Sequence, residues 1–390
     1  MDFRLTEEQL RVQAIAREFA RKEIAPIARD MDEKRWFPWN LIPKMGELGY
    51  LSGAIPPKYG GKGYDYVSVA NIYEEISRAC SSVRGFLAVQ VGLVSMCIYD
   101  WGTEEQKMEF LPKLATGEYI GCYGLTEPNA GSDVASMETT ATKDGDYFVI
   151  NGTKHWTSFG NYAHICLVFA SMDRSLKHKG ICAFIVPTST PGFNRKRMEG
   201  WELGHRASDH AISNFVNMRV HKSTLLGKEG AGFKVAMGAL DHGRLGVAAG
   251  AVGVAQACVD ACVDFARKRR QFGQRIGDFQ LIQEMITDMV TETDAARLLV
   301  WRAADQKDRG IKNTKETSMA KYFASEVAAR AASNAVSLHG SYGYTNNYPV
   351  ERYLRDSKGY QIYEGTNQIQ RLIIARQVLK EADLAEAEGR

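Results

Sequence analysis

One carboxylate near the end of the chain, Glu364, sits in the run Gln361-Ile362-Tyr363-Glu364-Gly365-Thr366-Asn367-Gln368. Apolar and amide neighbours desolvate a carboxyl group and raise its pKa, which is what a general base working near neutral pH requires. Gly365 lets backbone approach a ligand closely, and Thr366 and Gln368 add hydrogen-bonding groups. The same residues also suit an ordinary helix start. A second stretch, Tyr123-Gly124-Leu125-Thr126-Glu127-Pro128-Asn129-Ala130-Gly131-Ser132-Asp133, is dense in small residues and hydroxyls. It can offer N–H groups and side-chain oxygens to a flat polar ligand or a phosphate, or form a plain surface loop. The third is Arg269-Arg270-Gln271-Phe272-Gly273, followed by Phe279-Gln280. A guanidinium there can grip a pyrophosphate bidentately, or the segment is a basic helix C-terminus closed by a glycine.

The elements that must carry these groups fall into three blocks. Residues 6–118 read as helical, with Val12, Ile15, Ala16 and Phe19 on one apolar stripe and Thr6 with Gln9 as a capping box. Pro26, Pro38, Pro43, Pro56 and Pro57 divide this block into short helices. Gly60-Gly61-Lys62-Gly63 is a loop rather than a dinucleotide fingerprint, since the third glycine and the preceding strand are missing. From 119 the apolar period becomes two, with Asp144-Gly145 and Asn151-Gly152 as hairpin turns and strands at 147–150, 154–157, 166–169 and 181–186. After Gly227 long Ala-rich stretches at 233–266, 279–306 and 315–338, and a last one at 367–380, predict an antiparallel helical bundle. The expected class is α+β: a helical N-terminal domain (1–118), an antiparallel β-barrel-like middle domain (119–225) and a C-terminal four-helix bundle (226–390).

Composition narrows the function. A formal charge of +3 gives no electrostatic footprint for nucleic acid or a membrane surface. No run of about 18 apolar residues is uninterrupted, so no membrane span is expected. The seven cysteines are scattered without CxxC pairs, which argues against a disulfide framework and a zinc site; Cys258 and Cys262 read as small core residues on one helix face. No metal site is expected. The acidic, leaderless first residues and the unpaired cysteines point to the cytoplasm.

Taken together, the motifs resemble the acyl-CoA dehydrogenase family. They are Tyr123-x-x-Thr126-Glu127-Pro128-x-Ala130-Gly131-Ser132-Asp133, Asn151-Gly152-x-Lys154-x-Trp156, Arg269-x-x-Phe272-Gly273 and Tyr363-Glu364-Gly365-Thr366-x-x-Ile369-Gln370, in that order. Pro57-Lys58-Tyr59-Gly60-Gly61 and Tyr348-Pro349-Val350-Glu351-Arg352 fit it as well, and the likeness runs from about residue 2 to 380.

The resemblance implies one FAD per subunit, shared with a neighbouring subunit, and a homotetramer. It implies that Glu364 removes the α-proton of an acyl-CoA thioester while a β-hydride passes to flavin, with an electron-transfer flavoprotein as acceptor. Flavin contacts map onto Tyr123, Leu125, Thr126, Trp156 and Ser158, with Arg269, Phe272 and Gln280 reaching across a dimer, and Gly340, Thr366 and Gln368 near the pyrophosphate and adenosine. Substrate contacts map onto Ser132, Asp241 and Arg244, with Tyr363 and Gly365 flanking the base. The thioester α-proton is a weak acid, so hydrogen bonds to the thioester carbonyl from a flavin hydroxyl and from the backbone N–H of the base are implied too.

Two positions depart from the common pattern. Ser337-Leu338-His339-Gly340-Ser341 stands in place of Gln-x-x-Gly-Gly, which leaves open whether Ser337 and Ser341 contact the flavin and keeps Gly340. Trp156-Thr157-Ser158-Phe159 stands in place of Trp-Ile-Thr-Asn, which keeps a hydroxyl at Ser158 and makes Phe159 a changed pocket wall.

The acyl group turns on Arg84, in Ser81-Ser82-Val83-Arg84-Gly85-Phe86-Leu87. This stretch resembles glutaryl-CoA dehydrogenases, in which an arginine here holds a distal carboxylate. The alternatives are a surface arginine, or one paired to an internal acid such as Glu74 or Glu75. Seven residues earlier stands Ser77, where decarboxylating members carry a glutamate, so decarboxylation alongside oxidation stays open. Glutaryl, a bulkier arylsuccinyl group such as benzylsuccinyl, and an alicyclic or short straight-chain acyl group all stay open, as do an oxidase that uses O₂ and a non-enzymatic relative.

Overall fold

The computed structural model describes residues 3–387; Met1, Asp2 and 388–390, within the first and last expected segments, lie outside the described residues. The helical first block comprises α1 (Glu7–Phe19), α2 (Ala28–Lys34), α3 (Ile42–Glu47), α4 (Tyr66–Ala79), α5 (Ser81–Leu87), α6 (Met96–Trp101) and α7 (Glu104–Thr116). The middle block holds β1 (Gly121–Gly124), β2 (Thr140–Asp144), β3 (Tyr147–Ser158), β4 (Ile165–Ser171), β5 (Ile181–Pro187), β6 (Phe193–Arg197), β7 (His210–His221) and β8 (Leu225–Leu226). The last block holds α8 (Gly232–Lys268), a two-stranded hairpin β9 (Arg270–Gln271) and β10 (Gln274–Arg275), α9 (Gln280–Asp308), α10 (Thr314–His339), α11 (Val350–Tyr360) and α12 (Asn367–Ala387).

Local chemistry starts and stops these elements. The Thr6/Gln9 capping box opens α1, and Thr103 with Gln106 opens α7 in the same way, closed by Gly117 in the left-handed region. Asp65 caps α4 through the Ser68 N–H. Between α5 and α6 the backbone widens to a π-helix over Ala88–Ser95. Such wide turns concentrate at functional sites. Here the Ser95 hydroxyl donates to the Gln90 carbonyl, and the Gln90 side chain ties the turn to Leu114, Tyr119 and Gly121.

The sheet order is β6-β7-β3-β2-β4-β5-β8, with β1 added on β4. It is antiparallel except where β1 runs parallel to β4 and Thr140 of β2 meets Ser171 of β4. The antiparallel middle domain expected from the sequence is a mixed sheet to that extent. The turn expected at Asn151-Gly152 is also corrected. Those residues lie inside one long bent strand, β3, at a register shift against β7. A side chain at Gly152 would meet Thr139 Oγ1 at 2.4 Å, so the glycine marks a close approach at a bulge rather than a reversal. Asp144-Gly145 does reverse the chain, between β2 and β3.

The core is continuous from the first helices through the sheet to the bundle. Two helical stretches, 81–101 and 232–268, are long and apolar enough to cross a membrane, but 94% and 78% of their most apolar windows are buried inside the protein. All seven cysteines are free and buried, Cys258 and Cys262 among them. Helix α8 owes its central place to glycine. Gly243, Gly246, Gly250 and Gly253 lie on one face, and an added methyl at each would strike a partner within 3.0 Å: the Glu364 carboxyl, the Tyr73 ring, the Arg84 side chain and the Glu74 carbonyl.

Candidate active site

Helix α11 stops at Tyr360 and α12 begins at Asn367. The linker turns through two left-handed residues, Glu364 (φ 54°) and Gly365 (φ 91°). A side-chain-bearing residue in that region costs on the order of 1–3 kcal/mol and persists only where its surroundings over-determine it. They do so here. Arg244 Nε donates to the Glu364 carbonyl (3.3 Å), and Gln370 Nε2 and Lys321 Nζ both donate to the Gly365 carbonyl (2.9 Å each). The Thr366 hydroxyl accepts from the Ile369 N–H and so caps α12, while the Asn367 N–H returns to the Gln361 carbonyl at 3.0 Å.

The Glu364 carboxyl is pressed against α8: Oε2 is buried without a hydrogen-bond partner, 2.0 Å from where a Gly243 Cβ would stand. Burial pushes its pKa up to about 7, against the opposing pull of the Arg84, Arg244 and Lys321 charges. A carboxylate that is desolvated, unpaired and poised near neutrality has the properties of a general base.

Arg84, on α5, is 1% exposed. Its guanidinium lies 4.6 Å from the Tyr360 ring centre and 5.6 Å from that of Tyr363, and Nη2 donates to the Tyr363 hydroxyl. Nε has no partner. Both ion pairs weighed for it are taken elsewhere, Glu74 by Arg297 at 2.9 Å and Glu75 by Arg17 at 2.7 Å. Among the described residues no carboxylate forms an ion pair with Arg84. An arginine stays charged, so this is a buried cation that lacks its anion.

Gly243 faces the Glu364 carboxyl and Gly250 faces the Arg84 side chain, and the seven residues between the two glycines span about 10 Å of helix.

A second group gathers at the start of the middle block. Tyr123 and Leu125 are buried, and the Tyr123 ring lies close enough to feel the charges of Glu364 and Arg244. His155 N–H bonds the Thr126 carbonyl at 2.8 Å, joining this segment to Trp156 and Ser158 on β3. Trp156 sits at a bulge with φ 57° and leaves 54% of its surface open. The Thr126 and Ser158 hydroxyls have no hydrogen-bond partner among the described residues. An open indole and two free hydroxyls on adjoining segments suit a flat heterocycle with polar edges, so these residues fit a flavin ring. Beneath them Lys154 and Glu127 form a fully buried ion pair (2.7 Å). Lys154 also donates to the Leu125 carbonyl, and Glu127 accepts the Thr139 N–H.

Other expected residues stand apart from this group. Arg269 faces the Tyr342 ring, Phe272 is 94% exposed at the tip of the β9–β10 hairpin, and Gln280 is exposed at the start of α9. Among the described residues no hydrogen bond, ion pair or ring contact joins them to the Tyr123–Ser158 group. Gly340 ends α10 with φ 59°, and Gln368 and Ser132 are exposed. Arg244 is buried and bonds Asp241 at 2.8 Å as well as the Glu364 carbonyl, and Asp241 also accepts from Thr314. Both are engaged by protein groups. Ser337 bonds its own helix at the Ser333 carbonyl. Phe159 is buried against Phe37, Phe86 and Trp39, an aromatic wall between the first helices and the sheet.

The sequence reading missed several supports. Ser77 and Tyr360 share a 2.7 Å hydrogen bond under Arg84. His205, kept neutral by burial with its pKa near 4, packs edge-on to Tyr363 and at a tilt to Tyr360. Lys321 carried one available signal, a charge on the apolar stripe of an Ala-rich helix.

Three family models cover nearly the whole chain: acyl-CoA dehydrogenase N-terminal domain (residues 6–118), middle domain (122–218) and C-terminal domain (230–379). The short-chain specific mitochondrial acyl-CoA dehydrogenase of Rattus norvegicus is 43% identical over 376 residues, 96% of this chain and 91% of that protein. The glutaryl-CoA dehydrogenase of Desulfococcus multivorans is 40% identical over 380 residues, 96% and 97% of the two chains. The solved butyryl-CoA dehydrogenase of Megasphaera elsdenii superposes with a TM-score of 0.94 at 39% identity, covering 97% of this chain and all of that one.

Proposed function

The chain belongs to the acyl-CoA dehydrogenase family, flavin-dependent oxidoreductases that bind FAD, and from that premise we propose that it oxidises the α,β-bond of an acyl-CoA whose acyl chain ends in a carboxylate. The observation that carries this reading is the buried, anion-less guanidinium of Arg84. Of the roughly 10 Å of helix between Gly243, which faces the base, and Gly250, which faces the guanidinium, a proton-transfer contact and an ion-pair contact each take about 3 Å. The remaining 4 Å or so spans about three carbon–carbon bonds, the distance from C2 to the carboxyl carbon of a glutaryl chain.

In this reading Arg84 and Tyr363 anchor the distal carboxylate, and Glu364 takes the α-proton through its unpartnered Oε2. Gly243 leaves room for that carboxyl, and Arg244 and Gln370 hold the backbone that carries it. FAD, when bound, would supply the acceptor for the β-hydride. Tyr123, Leu125, Thr126, Trp156 and Ser158 would hold the ring, and Arg269, Phe272 and Gln280, which touch none of these residues within one chain, would serve the flavin of a neighbouring subunit in a homotetramer. An electron-transfer flavoprotein as acceptor and a cytoplasmic location, supported by seven unpaired cysteines, complete the proposal.

Anaerobic flavin reduction with butyryl-, glutaryl-, benzylsuccinyl- and cyclohexanecarboxyl-CoA tests it. A carboxylated thioester is expected to bleach the flavin with the highest rate over dissociation constant. Arg84→Ala is expected to weaken that substrate by 2–5 kcal/mol, the usual effect of removing one partner of a buried charge pair, and to leave butyryl-CoA within about threefold. Equal losses on both substrates would remove the carboxylate from the reading.

A further inference from the structure

Helix α10 buries Lys321 completely, on a face with Thr317, Ala320, Ala324 and Ala328. Burying an ammonium demands strong compensation. Among the described residues it has no ion-paired carboxylate. Two of its three N–H donors go to the catalytic linker, to the Gly365 carbonyl at 2.9 Å and to Asn367 Oδ1 at 2.8 Å. The same stretch of α10 completes the grip. Ser325 donates to Asn367 Oδ1 at 3.0 Å. Glu326 accepts from Asn367 Nδ2 at 2.7 Å and from Gln361 Nε2 at 3.1 Å. One helix therefore holds both ends of the 361–367 linker, and Lys321 holds the residue directly after the base.

We propose that Lys321 is the positioning residue of Glu364: its ammonium locks the left-handed Glu364-Gly365 turn through the Gly365 carbonyl, and its charge favours the ionised, proton-accepting form of the carboxyl.

This inference rests on Glu364 being the base. The charged groups around the pair come from several elements: Arg244 of α8 and Glu326 of α10 act on Lys321, while Arg84 of α5 and Arg244 act on Glu364. Tyr73 of α4, Tyr123 of β1 and Tyr363 complete the set. Burial draws Lys321 down to about 7, the range in which Glu364 titrates, so their protonation is linked. An arginine side chain keeps its charge throughout that range. Lys321 is thus the cation near the base whose charge varies with pH.

The test is the pH profile of anaerobic flavin reduction in the FAD-loaded enzyme, with flavin content per subunit measured beside it. Lys321→Met is expected to keep its FAD and to slow reduction at pH 7 by about 10- to 100-fold, the scale of a small displacement of a catalytic group. Its midpoint is expected to move upward by about one pH unit, since a nearby cation has been lost. Lys321→Arg, which keeps the charge, is expected to restore the midpoint. Lys321→Gln, which keeps a donor toward Gly365 without charge, is expected to recover rate but not midpoint, and it replaces the Met variant should that one fail to fold. A wild-type midpoint in the uncharged variants overturns the inference, however slow they are. Glu364→Gln separates the two levels: full-rate bleaching by that variant defeats the base assignment itself, whereas a silent Glu364→Gln beside wild-type midpoints in the Lys321 variants defeats only the role of Lys321.

Discussion

Replacing the base with its neutral isostere is expected to make the protein more stable while abolishing its activity. In the folded chain the Glu364 carboxyl titrates near 7, against 4.5 for the ordinary group, because Oε2 is buried without a partner. A difference of about 2.5 in pKa, at about 1.4 kcal/mol for each, means the ionised carboxyl costs folding about 3 kcal/mol above pH 7. The sign follows from proton binding. The folded state holds the proton more tightly than the unfolded chain. The wild type therefore loses this stability as pH rises from about 4.5 through 7, and below 4.5 there is nothing to lose. Glu364→Gln mimics the protonated form at every pH. With an unfolding entropy of about 2.1 cal/mol/K per residue, 390 residues convert about 3 kcal/mol into a Tm rise of about 4 °C. Differential scanning of the FAD-loaded proteins at matched concentration is expected to show that gain at pH 8 and almost none at pH 5. A variant with the same advantage at both values, or a less stable variant at pH 8, would show that the carboxyl is not desolvated as the structure has it.

Further expectations concern the surroundings of the base and the flavin. Flavin reduction by the wild type is expected to fall about tenfold per pH unit below 7, because the base must be ionised; a flat profile from pH 5 to 8 contradicts it. Gly243→Ala puts a methyl 2.0 Å from Oε2 and is expected to cut reduction at least 100-fold with FAD retained, so unaltered rates would mean the carboxyl lies elsewhere. Lys154→Met strands Glu127 as a buried charge, which is expected to cost about 3–5 kcal/mol and to release flavin, read by denaturant melts and by the absorbance ratio of purified protein. Arg269→Ala is expected to weaken FAD retention on dilution while leaving the fold intact; undiminished flavin content counts against a contact across subunits.

The blocks of the fold were readable in the chain because each writes a local signal, and Glu364 could be singled out by its apolar and amide neighbours. The capping box at Thr6, the change of period after residue 118 and the long Ala-rich runs are local patterns. Asn151-Gly152 misled because the dipeptide that favours a turn also suits a bulge, and only the contact of Gly152 with Thr139 decides between them. Helix α11 went unread although Val350, Tyr353, Leu354 and Tyr360 recur at helical spacing over its eleven residues. The supports of the site were illegible for a different reason. Lys321 and Gly365, Ser77 and Tyr360, and Arg84 and Gly250 are pairs far apart in the chain, and their meaning exists only once packing joins them. Arg84 could be singled out by type, but its lack of an acidic partner is a fact of three-dimensional packing.

The central claim is that Glu364 removes the α-proton, and proton exchange tests it apart from oxidation. A 3,3-dimethylglutaryl thioester has α-hydrogens, a distal carboxylate and no β-hydrogen to lose, so in D₂O the FAD-loaded enzyme can exchange its α-position but cannot oxidise it. Mass spectrometry of the recovered thioester is expected to show α-deuterium uptake with wild type and only the enzyme-free background with Glu364→Gln. Uptake at the wild-type rate by that variant would contradict the assignment of the base.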